Sequence, residues 1–322
     1  MMKGLLTVAM MMATVSMVGA QETVRLTLNF PLGGSASRVV SGHVKATYNG
    51  PTPLSPDKPE TLVFDLKFRQ TFFVSVEKVT DEGNGLISVQ PMGTNVEGIF
   101  ANNPLNVTIS ADGHLTASWG ALSFDSAKLK PEEQAALKKM LTSRSYVTIT
   151  RTGKVVQVSL PDIPPGSPDF SRELSQGLSW MLQMLTPVNF PEKPVRLGEE
   201  WKINLPIPIF EGEKVPQLTV LCRLHEIKGG EAIITATAES AGPADLTLKK
   251  LSPTDPQVTI KSGEMKGTAR ISFDLFVSVP RRSVWHLTAK AEGIIVADVK
   301  GEKKSAPFSL EMSGEVTDEL LF

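Results

Sequence analysis

The sequence is poor in most of the residues that announce a chemistry. One cysteine in 322 residues rules out an intramolecular disulfide, so the fold must be held by its apolar core. The four histidines, His43, His114, His225 and His286, stand far apart, and no pair has the short spacing of a zinc site. Only two tyrosines and four dispersed tryptophans are present, which argues against a stacking surface for sugars or single-stranded nucleic acid. Charge of either sign is not in excess. The 33 basic residues fall to 32 without Lys3, against 34 acidic ones. Nucleic acid is therefore not expected as a partner, because it needs a concentrated basic face. No Gly-rich loop leads from a strand into a helix with a following Lys, and no Gly-x-Ser-x-Gly elbow occurs. Adjacent carboxylates such as Glu132-Glu133 and Glu199-Glu200 read as solvated surface. No catalytic residue, metal site or cofactor is called for, and the chain reads as a non-enzyme.

What is present begins with an export pattern. Lys3 precedes an apolar stretch over 5–18, and Val18-Gly19-Ala20 places small residues before a cleavage point after Ala20. The stretch is shorter than the roughly 20 residues that span a bilayer, and no second one follows. The expectation is a signal peptide over 1–20 and an exported protein, periplasmic or extracellular, without a transmembrane segment after cleavage. The rest divides into a β-rich half over 21–160, a linker and amphipathic helix over 161–187, and a second β-rich half over 188–322.

Period-two alternation dominates both halves. Leu62, Phe64, Leu66 and Phe68 alternate with Val63, Asp65, Lys67 and Arg69, and the run continues through Phe72, Val74 and Val76. Alternation of this kind places one set of side chains on a core face and the other towards water. The run over 62–79 is long for one strand, and is expected either to bend near Gln70 or to belong to a long curved sheet. Glycine-bearing turns at 81–85, 111–113, 151–153 and 228–230 separate such runs, and Pro280-Arg281-Arg282-Ser283 is read as another. Hairpins mean antiparallel neighbours, so the expected fold is mainly β (α+β): long curved antiparallel meander sheets with one or two packed helices and loosely similar halves. Cys222, within the apolar run 218–222, reads as a buried core thiol.

Two segments have helical spacing. Over 131–141, Leu137, Met140 and Leu141 gather opposite Glu132, Glu133, Lys138 and Lys139. Over 167–185, Ser167 is a good N-cap and Pro168 suits the first helical position. There Phe170, Leu174, Leu178, Met181, Leu182 and Leu185 form an apolar stripe. That stripe is the candidate wall of an apolar pocket; its plainer reading is ordinary core.

Residues 190–201 carry a local signature in Pro191, Pro194, Val195, Gly198, Glu199 and Trp201. The prolines hold the chain extended, Gly198 allows a turn, and Trp201 anchors the strand that follows. This stretch resembles the P-x-x-P-V-x-x-G-(D/E)-x-W element of exported bacterial β-proteins of uncharacterised function. A late Gly267-Thr268-Ala269-Arg270-Ile271-Ser272-Phe273-Asp274 resembles their G-T-x-x-I-S-F-D stretch. The resemblance implies a compartment and a β-rich fold, and no activity. A sheet curling around the 167–185 helix would be similar to the half-barrels of periplasmic lipoprotein carriers, whose concave face holds acyl chains. Three functions follow: a non-catalytic carrier of a lipid or other apolar small molecule, an assembly module meeting another envelope protein through sheet edges such as 307–316, or a hydrolase built from distant residues.

Overall fold

The computed structural model describes residues 23–52, 58–162, 189–206, 210–211, 217–241, 246–248, 257–299 and 302–321. Among the described residues, eighteen strands and one α-helix follow one another. The first half holds β1 (Thr23–Val24), β2 (Ser35–Gly50), β3 (Glu60–Val79), β4 (Gly85–Phe100), β5 (Asn103–Ile109), β6 (Leu115–Trp119), β7 (Leu122–Asp125), the helix α1 (Pro131–Thr142), β8 (Ser145–Ile149) and β9 (Val155–Ser159). The second holds β10 (Val195–Arg196), β11 (Glu200–Pro206), β12 (Phe210–Glu211), β13 (Gln217–Lys228), β14 (Glu231–Ala241), β15 (Leu246–Leu248), β16 (Gln257–Asp274), β17 (Val279–Val299) and β18 (Glu302–Leu321).

Sixteen of these strands form one antiparallel sheet with the path β11-β13-β14-β16-β17-β18-β2-β3-β4-β5-β6-β7, and β1 pairs with β10 apart from it. The path is two meanders joined where β18 pairs with β2, so one sheet runs through both halves. The chain is mainly β, as its alternation predicts. Among the described residues the sheet is open and uncurled. Each wing branches: β4 shares its outer edge between β5 and β8, and β16 shares its own between β14 and β15. The run 307–316 lies in β18, between β17 and β2, and is therefore not a sheet edge.

Local chemistry explains the hairpins. In three of them a hydroxyl residue opens the turn and a glycine with positive φ stands three positions on. The sets are Thr80-Gly83-Asn84, Ser110-Gly113-His114 and Thr150-Gly153-Lys154. Each time the glycine N–H donates to the carbonyl of the first residue, at 2.8–2.9 Å. The first side-chain oxygen then accepts the N–H of the residue after the glycine, at 3.0–3.2 Å. Glycine is needed because φ there is +82° to +87°. The turn expected at Pro280–Ser283 is instead Leu275–Ser278, and residues 280–283 belong to β17. Asp274 decides this, because its Oδ1 accepts the N–H groups of Phe276 (2.8 Å) and Val277 (3.1 Å). Pro280 is tolerated beside the irregularity between Ser272 and Phe273, where a missing N–H costs little. β3 runs unbroken from Glu60 to Val79, with register shifts at Thr71/Phe72, next to Gln70, and at Val76/Lys78.

α1 forms as its spacing predicts. Pro131 takes the first helical position and Glu133 accepts the Lys130 N–H at 3.2 Å. It buries Ala136, Leu137 and Met140, the last two against Leu115 of β6. The principal core lies at one end of the long strands. Phe72, Val89, Val147 and Ile149 meet Val220, Cys222, Leu224, Ile234, Ile271 and Phe273 there, joined by Leu26, Leu28, Phe190 and Val195 from the segments that cross between the wings. Phe190 packs edge-on against Phe273 at 5.1 Å, and the Trp201 indole donates to the Asn189 carbonyl at 3.0 Å. The 190–201 element thus anchors a crossing segment to the core.

Candidate apolar binding face and end cavity

The middle of the sheet, β16-β17-β18-β2-β3, has two unlike faces. Register fixes the polar one. Glu264, Lys290, Glu311 and Thr47 lie in one cross-strand row, and Lys266, Thr288, Ser313, Lys45 and Asp65 in the next. A third row runs Thr268, His286, Glu315, His43 and Lys67. Polar side chains pair on this face: Lys290 Nζ reaches Glu311 Oε1 at 2.9 Å across strands, Lys266 Nζ reaches Glu264 Oε2 at 3.0 Å along β16, and His286 Nδ1 stands 3.4 Å from Glu315 Oε2. The bonds to Glu311 and Glu264 raise the pKa of Lys290 and Lys266 from the ordinary lysine value.

The residues between these turn to the other face, which is apolar. One row reads Met265, Ala289, Met312, Ala46, Phe64. The next reads Gly267, Leu287, Gly314, Val44, Leu66, Gly98, Leu105, Trp119. A third reads Ala269, Trp285, Val316, Gly42, Phe68, Val96, Val107. Aromatic rings lie over the glycines: a Cβ on Gly42 would stand 2.7 Å from the Phe68 ring, and one on Gly293 2.6 Å from Phe308. Phe100 touches Phe64 edge-on at 5.1 Å and Trp119 at 6.1 Å. Val44, Phe64, Leu66, Phe68, Leu287 and Met312 are only half-buried and belong to neither described core cluster. The apolar face therefore continues well past the packed end of the sheet. A sheet face of this kind is stable only when something covers it.

At the packed end the same face meets a cavity of about 280 Å³. Its apolar wall is Phe30, Val74, Val76, Ile87, Ile149 and Leu320. Its polar lining includes Arg38, Arg281, Arg282, Ser283 and Asp318. Arg38 grips Asp318 with both arms of its guanidinium, Nε donating to Oδ1 at 2.7 Å and Nη2 to Oδ2. Each side chain is 17% exposed. Ser283 is 2% exposed, and its Oγ has no hydrogen-bond partner among the described residues.

The histidines lie apart from this cavity. His43 Nε2 stands 2.5 Å from Asp65 Oδ1, and Lys45 is 3.4 Å from the other oxygen. The His43 bond first, then Lys45, lowers the Asp65 pKa below the ordinary carboxylate value. His114 Nε2 holds Asp125 at 2.8 Å and lowers it likewise. Among the described residues no hydroxyl or thiol is hydrogen-bonded to the ring of His43, His114 or His286, and no three His, Cys, Asp or Glu converge as metal ligands. Cys222 is fully buried, and burial pushes its thiol up to about 12. The stripe Phe170, Leu174, Leu178, Met181, Leu182 and Leu185 lies outside the described residues. The sheet face and the end cavity were not singled out from the sequence. Alternation at 43–49, 285–292 and 310–316 carried the signal for the face, whereas no local pattern marks Ser283.

No family profile matches this sequence, and no curated protein sequence is similar to it. Among solved structures, one described as lipid–protein interactions in lipovitellin is similar over 91% of this chain, at 8% identity and a TM-score of 0.42. This chain spans 26% of that one. OpdQ of Pseudomonas aeruginosa aligns over 89% of this chain and 98% of its own, at 6% identity and a TM-score of 0.16. A TodX monoaromatic hydrocarbon channel mutant aligns over 91% of each chain, at 9% identity and a TM-score of 0.17.

Proposed function

We propose that this chain is an exported, non-catalytic carrier whose apolar ligand lies against the apolar face of the central sheet. One observation carries the reading: the half-buried rows around Leu287, Met312, Val44 and Phe64 extend beyond both packed clusters. Half-buried apolar side chains gain roughly 25 cal/mol for each Å² that a ligand removes from water, so a long apolar molecule is the natural cover. The opposite face, with its paired charges, suits water. The stripe from Phe170 to Leu185 is the proposed second wall of the site. The pattern of Lys3, the apolar stretch and Val18-Gly19-Ala20 supports export.

Native mass spectrometry with lipid extraction, on full-length protein purified without detergent, tests the reading. An apolar adduct in whole-number ratio is expected. Met312→Glu, which sets a charge on the apolar face, should abolish it, while Glu311→Gln on the polar face should leave it in place. A bare mass that takes up no added apolar compound, or equal retention by both variants, overturns the carrier reading.

A further inference from the structure

We propose that the mouth of the end cavity docks on a phospholipid bilayer, with Leu32 and Phe276 entering the acyl layer. Docking goes beyond the carrier reading and needs no cargo.

Exposed apolar side chains are ordinary when scattered, so what matters is where these two stand. Among the described residues, Phe276 and Leu32 are the two most exposed large apolar side chains, at 82% and 73%. They come from distant parts of the chain and meet at one opening. Pro31 and Val277, their chain neighbours, line the end cavity, and Val277 is itself exposed. The Asn29 N–H donates to the Ser278 carbonyl at 3.1 Å and ties the two segments together. Both turns are firmly held. The Gly33 N–H donates to the Val76 carbonyl at 3.1 Å, the Val76 N–H to the Gly34 carbonyl at 2.9 Å, and the Leu275 N–H to the Gly230 carbonyl at 2.8 Å. The ring of Phe276 leans over Gly230, where a Cβ would collide with it. Backbone pinned in this way keeps both side chains in water, a cost that an apolar cover removes.

The surroundings favour a bilayer as that cover. Leu32, Phe276 and Val277 together offer well under the roughly 1,000 Å² that a stable protein interface buries. Arg282, which lines the same cavity, and Lys228, next to the Gly229-Gly230 turn, are exposed, and among the described residues neither is in an ion pair. Apolar tips flanked by such cations match the acyl layer and the phosphate layer of an anionic membrane. The apolar wall of Phe30, Val76 and Ile87 lies behind these tips, so docking turns the cavity towards lipid.

The test labels full-length Phe276→Cys and Leu122→Cys with nitrobenzoxadiazole and adds vesicles of phosphatidylcholine and phosphatidylglycerol. Cys222 is buried, so each variant takes the dye at one place. Leu122, 66% exposed on the last strand of the sheet path, controls for exposure alone and for anchoring by the apolar stretch over 5–18. The dye at 276 should brighten, shift to the blue and be quenched by doxyl-labelled lipid, while the dye at 122 should not respond. Adding Leu32→Ser to Phe276→Cys should raise the lipid concentration at half-maximal change about tenfold. Adding Arg282→Gln should raise it about fivefold. All four positions are exposed, so the fold should stand. An unchanged dye at 276, equal responses at 276 and 122, or a titration unmoved by Leu32→Ser overturns docking. So does a signal at 276 that grows with protein concentration in the absence of vesicles, since a second copy then covers the tips. A chain without an adduct that still docks sinks the carrier reading alone, and a loaded chain that does not dock sinks docking alone.

Discussion

The Arg38–Asp318 pair joins β2 to β18 at the cavity wall, and its worth can be stated in advance. The two residues are 280 positions apart and form a forked contact with 17% of each side chain exposed. Fully buried pairs cost about 3–5 kcal/mol when one partner is removed, because the other charge is left unpaired. Exposed pairs are worth about 0–1 kcal/mol. At this exposure some water reaches the survivor, so Arg38→Met or Asp318→Asn alone should cost about 2–3 kcal/mol. The double replacement Arg38→Met/Asp318→Leu leaves no charge behind and should cost under about 1 kcal/mol, giving a coupling near 2 kcal/mol or more in a double-mutant cycle. Urea unfolding reads this as midpoint shifts at constant slope. Repeating the cycle in 1 M salt should change the coupling little, since a pair mostly out of water is poorly screened. Single variants within about 0.5 kcal/mol of wild type, or a double equal to the sum of the singles, would refute the reasoning.

Two further outcomes follow from the core. Phe273, fully buried and edge-on to Phe190, should cost about 3–5 kcal/mol as Phe273→Ala in the same urea assay, and a loss below 1 kcal/mol would mean that the crossing segment is not packed as described. Cys222 should resist thiol reagents in the native state and react only on unfolding. Its folded pKa of about 12 lies above the ordinary 9.0, so the native state keeps a proton that the unfolded chain releases. Stability is then intact below about pH 9 and declines as pH rises towards 12, more steeply in wild type than in Cys222→Ala. Equal slopes would sink that account.

Much of the fold was legible because it is locally encoded. The hydroxyl-x-x-glycine turns at 80, 110 and 150 close hairpins with atoms five residues apart or fewer, so the sequence carries the whole signal. The same holds for α1, where Pro131, Glu133 and the spacing of Leu137 and Met140 suffice, and for the alternation of β3. The misplaced turn near Pro280 shows the limit. Proline marks a break in sequence, but the Asp274 carboxylate reaching two N–H groups outcompetes it. The site was less legible, because it is built across strands. His43 meets Asp65 and Arg38 meets Asp318 only once register is fixed, and nothing around Ser283 in sequence foretells a hydroxyl without a partner. The central place of β18 is of the same kind, since hydrophobic alternation reads identically in an edge and a middle strand.

The seam between β18 and β2 also sets the order in which the sheet can be assembled. Every other neighbour on the path is reached by a hairpin or a short connection, whereas Asn49 and Ser309 across the seam are 260 positions apart. Closing a loop of that size rather than one of about 20 residues costs only about 2 kcal/mol more, so the seam is affordable at equilibrium. Kinetically it is the slow contact, because distant pairings wait on the local ones. Until it forms, two half-sheets each present a long open edge, 16 residues on β2 and 20 on β18. Each edge is complementary to its partner in the same chain and equally to that partner in another copy. The step that completes the apolar face is thus the step at which two chains in close company can exchange halves.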